Sequence, residues 1–312
     1  MPFRLRYLKG TQQYLLDPKS VPENHVLLNP SVAGDVVYIR DIEQTATQQI
    51  NNVILYNTKE ATSTRIPLPM EFLHSTDNYY AGLEDVRIVW YAKRLYFTAT
   101  STHASSRLQS EMVVGVFSED LQKIERMNHL DLGPPPVKNV CPFVHDGKLL
   151  LIDTYARVLY VLVDTKPDEE DTTDAVVDPA VFKVVTHSRL GGIPLGIFKS
   201  DGDAGLRGTT SPVHLHGNTY GCVVHDIIYD NNVILNTKSK LAYIHQWIEF
   251  EIANQGEDVI TFVSSPFFCV KLGVEFVSGI DYNKNDNKIT LYLGVDDKLP
   301  VVIYTTLHDI RA

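Results

Sequence analysis

The densest chemistry-bearing stretch of the chain is GLEDVRI, Gly82–Ile88. Two adjacent acids and an arginine open an otherwise apolar run. A regular extended strand would put Asp85 and Arg87 on one face and turn Glu84 the other way. A guanidinium beside Asp85 would then hold it ionised, ready to accept a proton or a hydroxyl hydrogen bond. The same triplet also fits a turn followed by a cross-strand ion pair. A second stretch, RGTTSPVHLHGNTYGCVVH at Arg207–His225, offers Arg207 with the hydroxyls of Thr209, Thr210 and Ser211. These groups suit phosphate or sugar oxygens. His225 is expected to end an inner strand, where a lone histidine is more often structural than catalytic. KNVCPF adds Lys138 and Asn139, and IDTYARV places Asp153, Tyr155 and Arg157 at alternating positions. Asn29, Glu275 and Asp297 complete the candidates, the last two as pocket-lining or structural acids.

Other signals fail on weighing. DGD at Asp201–Asp203 has an acid-x-acid form but sits in a Gly-rich turn context. His214 and His216 share a strand face without a third ligand. GxGxxG, Walker A, GxSxG and HExxH are all missing. No metal site is expected, and a divalent cation would enter only with a nucleotide-sugar donor.

The elements that must position these residues are strands. VVYIR, NVILYN, RIVWYAKRLYFTAT, KLLLIDTY, YGCVVHDIIY and KITLYLGV alternate or are wholly apolar, with turn residues between them. Only one or two short helical turns are expected. One phrase recurs: a polar or Pro-containing opening, a strand, a tight turn and a second apolar strand. Copies begin at Asn29, Glu84, Cys141, Ser211 and Ser265, at intervals of 55, 57, 70 and 54 residues. Five copies suit one propeller blade each. The expectation is an all-β chain, residues 1–312 forming a single five-bladed β-propeller. Asp164–Asp178 is acidic and explains the long interval as a surface loop. In a propeller, ligands gather where inner-strand ends converge on the central channel, so the polar openings are the candidate site.

Bulk properties narrow the partners. The 312 residues carry a formal net charge of -10, which disfavours non-specific nucleic-acid binding. Three separated cysteines argue against a disulfide framework and fit a reducing compartment. MPFRLRYLKG lacks an apolar signal region, and no apolar run is long enough to span a bilayer. The expected location is cytoplasmic or otherwise intracellular.

Taken in order, these motifs resemble the five-bladed β-mannoside phosphorylases and related β-1,2-mannosyltransferases. LNPSV with Arg40 matches an early Asn-Pro and basic strand end, and Glu84, Asp85 and Arg87 match an ED-x-R element. Lys138–Pro142, Ser211–His225, Gly273–Phe276 and Tyr292–Asp297 match the later elements, so the likeness spans roughly residues 25–300. It implies an inverting reaction at an anomeric carbon, with Asp85 as acid or base and basic residues holding phosphate. It implies a sugar donor and a glycan acceptor as partners. Val86 stands where family members commonly carry Pro, and the phosphate-binding basic set is thinner here. Those departures tilt the expectation to a glycosyltransferase using a sugar phosphate or nucleotide sugar. A phosphorylase or hydrolase, or a non-catalytic glycan-binding propeller, remain the alternatives.

Overall fold

The structure, a computed structural model, describes residues 5–46, 48–69, 80–101, 111–130, 132, 139–164, 182–193, 207–208, 210–229, 241–254, 256–296 and 299–312. It is nearly all β, with a 3-10 turn at Pro18–Ser20 and one short helix, α1 (Leu307–Arg311).

The strands fall into five antiparallel groups. The first is β3 (His25–Ala33), β4 (Val36–Gln44), β5 (Gln49–Asn57) and β6 (Thr62–Ile66). The second is β7 (Tyr80–Tyr91), β8 (Arg94–Ser101), β9 (Glu111–Phe117) and β10 (Ile124–His129). The third is β11 (Cys141–His145), β12 (Lys148–Asp153), β13 (Val158–Asp164) and β14 (Phe182–Gly192). The fourth has β15 (Arg207–Gly208) and β16 (Val213–His216) beside β17 (Thr219–Tyr229), then β18 (Leu241–Glu251) and β19 (Asp258–Val263). The fifth is β21 (Glu275–Asn283), β22 (Lys288–Val295) and β23 (Leu299–Thr306), completed by β2 (Thr11–Tyr14) from the start of the chain. Two short strands, β1 (Arg6–Tyr7) and β20 (Phe267–Phe268), pair with each other in parallel.

Hydrogen bonds stitch the groups in cyclic order. Ile88 N–H donates to Ser31 Oγ (3.1 Å), and Thr98 Oγ1 donates to Val140 O (2.7 Å). His145 meets Tyr220 Oη (3.0 Å), Val277 N–H donates to His245 Nε2 (3.3 Å), and Ser278 Oγ donates to Pro30 O (2.9 Å). The cores follow the same pattern. Apolar residues of the first and second groups pack together, as do those of the second and third, third and fourth, and fourth and fifth. The second, third and fourth groups are therefore covered on both faces by their neighbours, which accounts for wholly apolar runs such as Leu149–Ile152.

The chain ends tie the fourth group to the fifth. Arg6 donates to the carbonyls of Asp309 and Ile310 (both 2.8 Å). Arg311 grips Glu249 with Nε and Nη2 (2.5 and 2.8 Å), and Glu249 also accepts from the indole of Trp247 (2.7 Å). Bidentate pairing of this kind is among the stronger charged contacts.

The fifth repeat differs from the sequence reading. SPFF at Ser265 resembles an inner-strand opening, yet Phe267–Phe268 form only a two-residue strand beside β18. The strand equivalent to the other openings is β21, which starts at Glu275. His225 likewise lies within β17, the second strand of its group, opposite Arg207 and His245.

Candidate functional site

The site is built by a repeated backbone irregularity. Asn29, Asp85 and Asn139 stand where the first three inner strands open, and all have positive φ: 47°, 51° and 61°. Non-glycine residues pay for this conformation, Asn and Asp least. At Asn29 and Asp85 the strand pairing skips a residue. Leu28 faces Arg40 but Ser31 faces Tyr38, and Glu84 faces Thr100 but Arg87 faces Thr98. Each is a β-bulge, which re-aims a side chain and breaks strict alternation. Asp85 and Arg87 therefore do not share a face, contrary to the regular-strand expectation.

The bulges bring Asn29, Glu84 and Asp85 around Arg40. Asn29 Nδ2 donates to Asp85 Oδ1 (3.0 Å). Arg40 Nη2 donates to Glu84 Oε1 (2.8 Å), and its Nη1 lies 3.9 Å from Asp85 Oδ1. The Glu84 and Asp85 side chains keep 17% and 20% of their surface open to solvent. Among the described residues, no hydrogen bond reaches Asp85 Oδ2. One oxygen of this carboxylate is thus pinned and the other left available.

Arg87 goes elsewhere. It is fully buried, with Cζ 5.4 Å from the Phe276 ring and Nη1 donating to Val86 O (3.1 Å). Its guanidinium also reaches the Cys141 thiol, which burial pushes up to about 11. Asp85, Arg87 and Asp153 all act electrostatically on Cys141, so this buried thiol marks the floor joining the second and third groups. Tyr38 lies within the fields of Arg40, Asp85, Arg87 and Glu84, and burial pushes its phenol upward.

Asp153 ends β12 and is buried. Its Oδ1 accepts from Ala156 N–H (3.0 Å), capping the 154–157 turn, while Oδ2 is buried without a partner. Burial raises its carboxyl above the usual range. Because the chain turns here, Asp153 points inward while Tyr155 is exposed, rather than both lying on one strand face. Asn139 Oδ1, Thr154 Oγ1 and Ser211 Oγ are also buried and unpartnered. Thr210 Oγ1 accepts from Val223 N–H (3.0 Å), and His225 packs on Phe276 and Tyr243. Lys138, Thr209, Asp297 and the DGD turn lie outside the described residues, as does most of the acidic segment. Of Arg207 only the backbone is described.

Sequence reading missed Asn51. It is fully buried, accepts from Arg40 Nε through Oδ1 (2.8 Å) and donates to Ala81 O (2.9 Å). It pairs in parallel with Gly82, whose φ is +89° and where a Cβ would come 2.2 Å from Asn51 O. Only glycine fits that approach. The GLEDVRI glycine was the available signal.

Glu275 sits in a different environment. It is fully buried, and its carboxylate accepts from the N–H groups of Cys269, Val270 (2.8 Å) and Lys271 (3.2 Å). Burial pushes it up to about 7 and drives the neighbouring His245 down to about 3. The donor atoms of His245, Cys269 and Glu275 lie within 4.8 Å of one another, the one such group among the described residues. Val277 N–H occupies the Nε2 lone pair of the neutral ring, so Nδ1 carries the proton. The ring then presents an N–H, not a lone pair, to the group, which does not suit a metal ion.

No protein-family profile matches the chain, and no curated protein matches it. Solved structures do. A glycosyl hydrolase from Bacteroides ovatus aligns with a TM-score of 0.60 at 12% identity, covering 97% of this chain and 95% of that one. A structure from the GH130 family aligns at 0.57 and 12% identity over 98% and 97% of the two chains. That family is described as mannoside phosphorylases containing hydrolases that target β-1,2-mannosidic linkages in Candida mannan. A mannose phosphorylase from Leishmania mexicana, solved with a phosphate ion, aligns at 0.54 and 15% identity over 97% and 89%. This chain shares their fold along nearly its whole length. No helix of the described residues is long and apolar enough to cross a membrane.

Proposed function

We propose that residues 1–312 form a single five-bladed β-propeller enzyme that moves a glycosyl unit at an anomeric carbon with inversion, using Asp85 as the acid/base. Five antiparallel groups joined in cyclic order support the propeller reading. The fold likeness to mannoside phosphorylases and hydrolases supports a carbohydrate substrate. The observation that carries the chemistry is the Asp85 carboxylate, pinned at Oδ1 by Asn29 and open at Oδ2.

In the transfer direction, Asp85 takes the proton of an acceptor hydroxyl. That oxygen attacks the anomeric carbon from the face opposite a phosphate leaving group. The bond from carbon to phosphate oxygen breaks, and the configuration inverts. Phosphorolysis is the reverse, with Asp85 returning the proton to the leaving sugar oxygen. Arg40, close to Asp85 and already held by Glu84 and Asn51, steadies charge that develops beside the reacting carbon. The glycosyltransferase direction is preferred on the sequence, where Val86 stands in place of the family's common Pro and the phosphate-binding basic set is thinner.

The test is substrate dependence. Purified protein is incubated with sugar 1-phosphates or nucleotide sugars plus a mannoside acceptor, and separately with β-1,2-mannobiose with and without phosphate. Transfer from the activated donor is expected. Cleavage of mannobiose only with phosphate would replace the transferase by a phosphorylase, and phosphate-independent cleavage would make it a hydrolase.

A further inference from the structure

Asn51 lies inside β5, where the first group meets the second, and is fully buried. Gln49, Ile50 and Asn51 run parallel to Tyr80, Ala81 and Gly82. The next residues along that second strand are Leu83, Glu84 and Asp85. The two ends of the Asn51 amide meet different groups. Nδ2 donates to Ala81 O of the second group (2.9 Å), and Oδ1 accepts from Arg40 Nε of the first (2.8 Å). Arg40 Nε only donates and Ala81 O only accepts, so the amide has a single permitted orientation.

These bonds decide how Arg40 faces Asp85. Asn51 holds Nε and Glu84 holds Nη2 (2.8 Å), which fixes the guanidinium plane and leaves Nη1 3.9 Å from Asp85 Oδ1. Without the bond to Nε, the planar fork is drawn to both oxygens of Glu84, because bidentate pairing is the favoured geometry of arginine with a carboxylate. The charge would then turn away from Asp85. A cation already aimed at the reacting centre costs no reorganisation as charge develops there. The backbone keeps the two strands in register: a Cβ at Gly82 would come 2.2 Å from Asn51 O, an approach that glycine alone permits.

We propose that Asn51 is a positioning residue. It ties Arg40 to the strand that carries Glu84 and Asp85, and so sets the guanidinium against the reacting carboxylate. It acts on turnover through Arg40 and touches no substrate. This rests on the acid/base reading of Asp85 above.

The experiment is a double-mutant cycle with Asn51→Ala and Arg40→Lys, read as turnover per folded molecule, beside the side-chain proton–nitrogen NMR signal of Arg40 Nε–H. Asn51→Ala alone should lower kcat about tenfold, the scale of one lost hydrogen bond to a charged group, with KM little changed. In the Arg40→Lys background, which lacks the Nε–H, the same substitution should add almost no further loss. The Nε–H signal should exchange slowly with solvent in wild-type protein and quickly in Asn51→Ala. Asn51→Asp keeps the size and the oxygen facing Nε, and should keep the slow exchange and lose less turnover, which covers the case of an Asn51→Ala protein that fails to fold. Additive losses in the cycle, or slow exchange that persists in Asn51→Ala, would overturn the positioning role and leave Asp85 intact. Wild-type protein that turns over none of the sugar substrates would remove the acid/base reading, and the positioning role with it.

Discussion

Two buried polar clusters sit at comparable places in this molecule, at the openings of inner strands, and they have opposite characters. Around Arg40, between the first and second groups, three charged side chains meet with part of their surface open. Around Glu275, between the fourth and fifth groups, His245 and Glu275 are fully enclosed, and burial drives both toward their neutral forms. Both clusters use a carboxylate that accepts N–H donors. The difference is what remains after those bonds are made. Glu275 spends both oxygens on the 269–271 backbone, whereas Asp85 spends one on Asn29 and keeps one. The acid/base role proposed for Asp85 rests on that second oxygen, which also keeps part of the side chain open to solvent.

Four changes would break or sharpen that contrast. The largest effect is expected from Asp85→Asn, which keeps size and the bond from Asn29 as an acceptor but cannot exchange a proton. Turnover should fall about a thousandfold, the range of a lost acid/base, while the melting temperature stays near wild type. Glu275→Ala should do the reverse. It strands three buried N–H donors and should cost about 3 kcal/mol of stability, read by chemical denaturation, with turnover per folded molecule preserved. Asn29→Ala removes the bond that pins Asp85 and places alanine at positive φ. Turnover should drop about tenfold from the lost bond to a charged group, with a smaller loss of stability from the backbone.

The last effect is a pH dependence of stability rather than of turnover. The folded Glu275 carboxyl titrates at about 7 and the unfolded one at about 4.5. Between those values the folded state holds a proton that the unfolded state has released. Stability should therefore be greatest at the acid end of this window and decline as pH rises from about 4.5 to about 7. Glu275→Gln should flatten that segment of the melting curve against pH. An unchanged slope in the variant would assign the titration to another group.

Much of the fold could be read from the sequence because strands buried on both faces leave apolar runs, and hairpin turns leave Gly, Asn and Asp. The ED-x-R element was visible for the same reason: adjacent charges interrupt such a run. Its geometry was not visible. A single residue in the left-handed region at Asp85 breaks the alternation of the strand, with Arg87 buried against Phe276 and Arg40 the cation paired with Asp85 among the described residues. The repetition of Asn, Asp and Asn at the three openings was a usable signal, since those residue types tolerate positive φ. Asn51 could not be found locally. Its role arises from a parallel pairing with Gly82, thirty-one residues further on, and from a hydrogen bond across the first sheet to Arg40. The fifth opening was misplaced because SPFF copies the pattern of Ser211–Pro212 while serving as a brief edge pairing.

The most direct test of the account is the anomeric configuration of the first product formed by wild-type protein, followed by proton NMR before mutarotation blurs it. A single proton-carrying carboxylate at Asp85, acting without a covalent intermediate, predicts an inverted anomeric centre. A retained configuration would require a second carboxylate acting as nucleophile and would contradict the role given to Asp85.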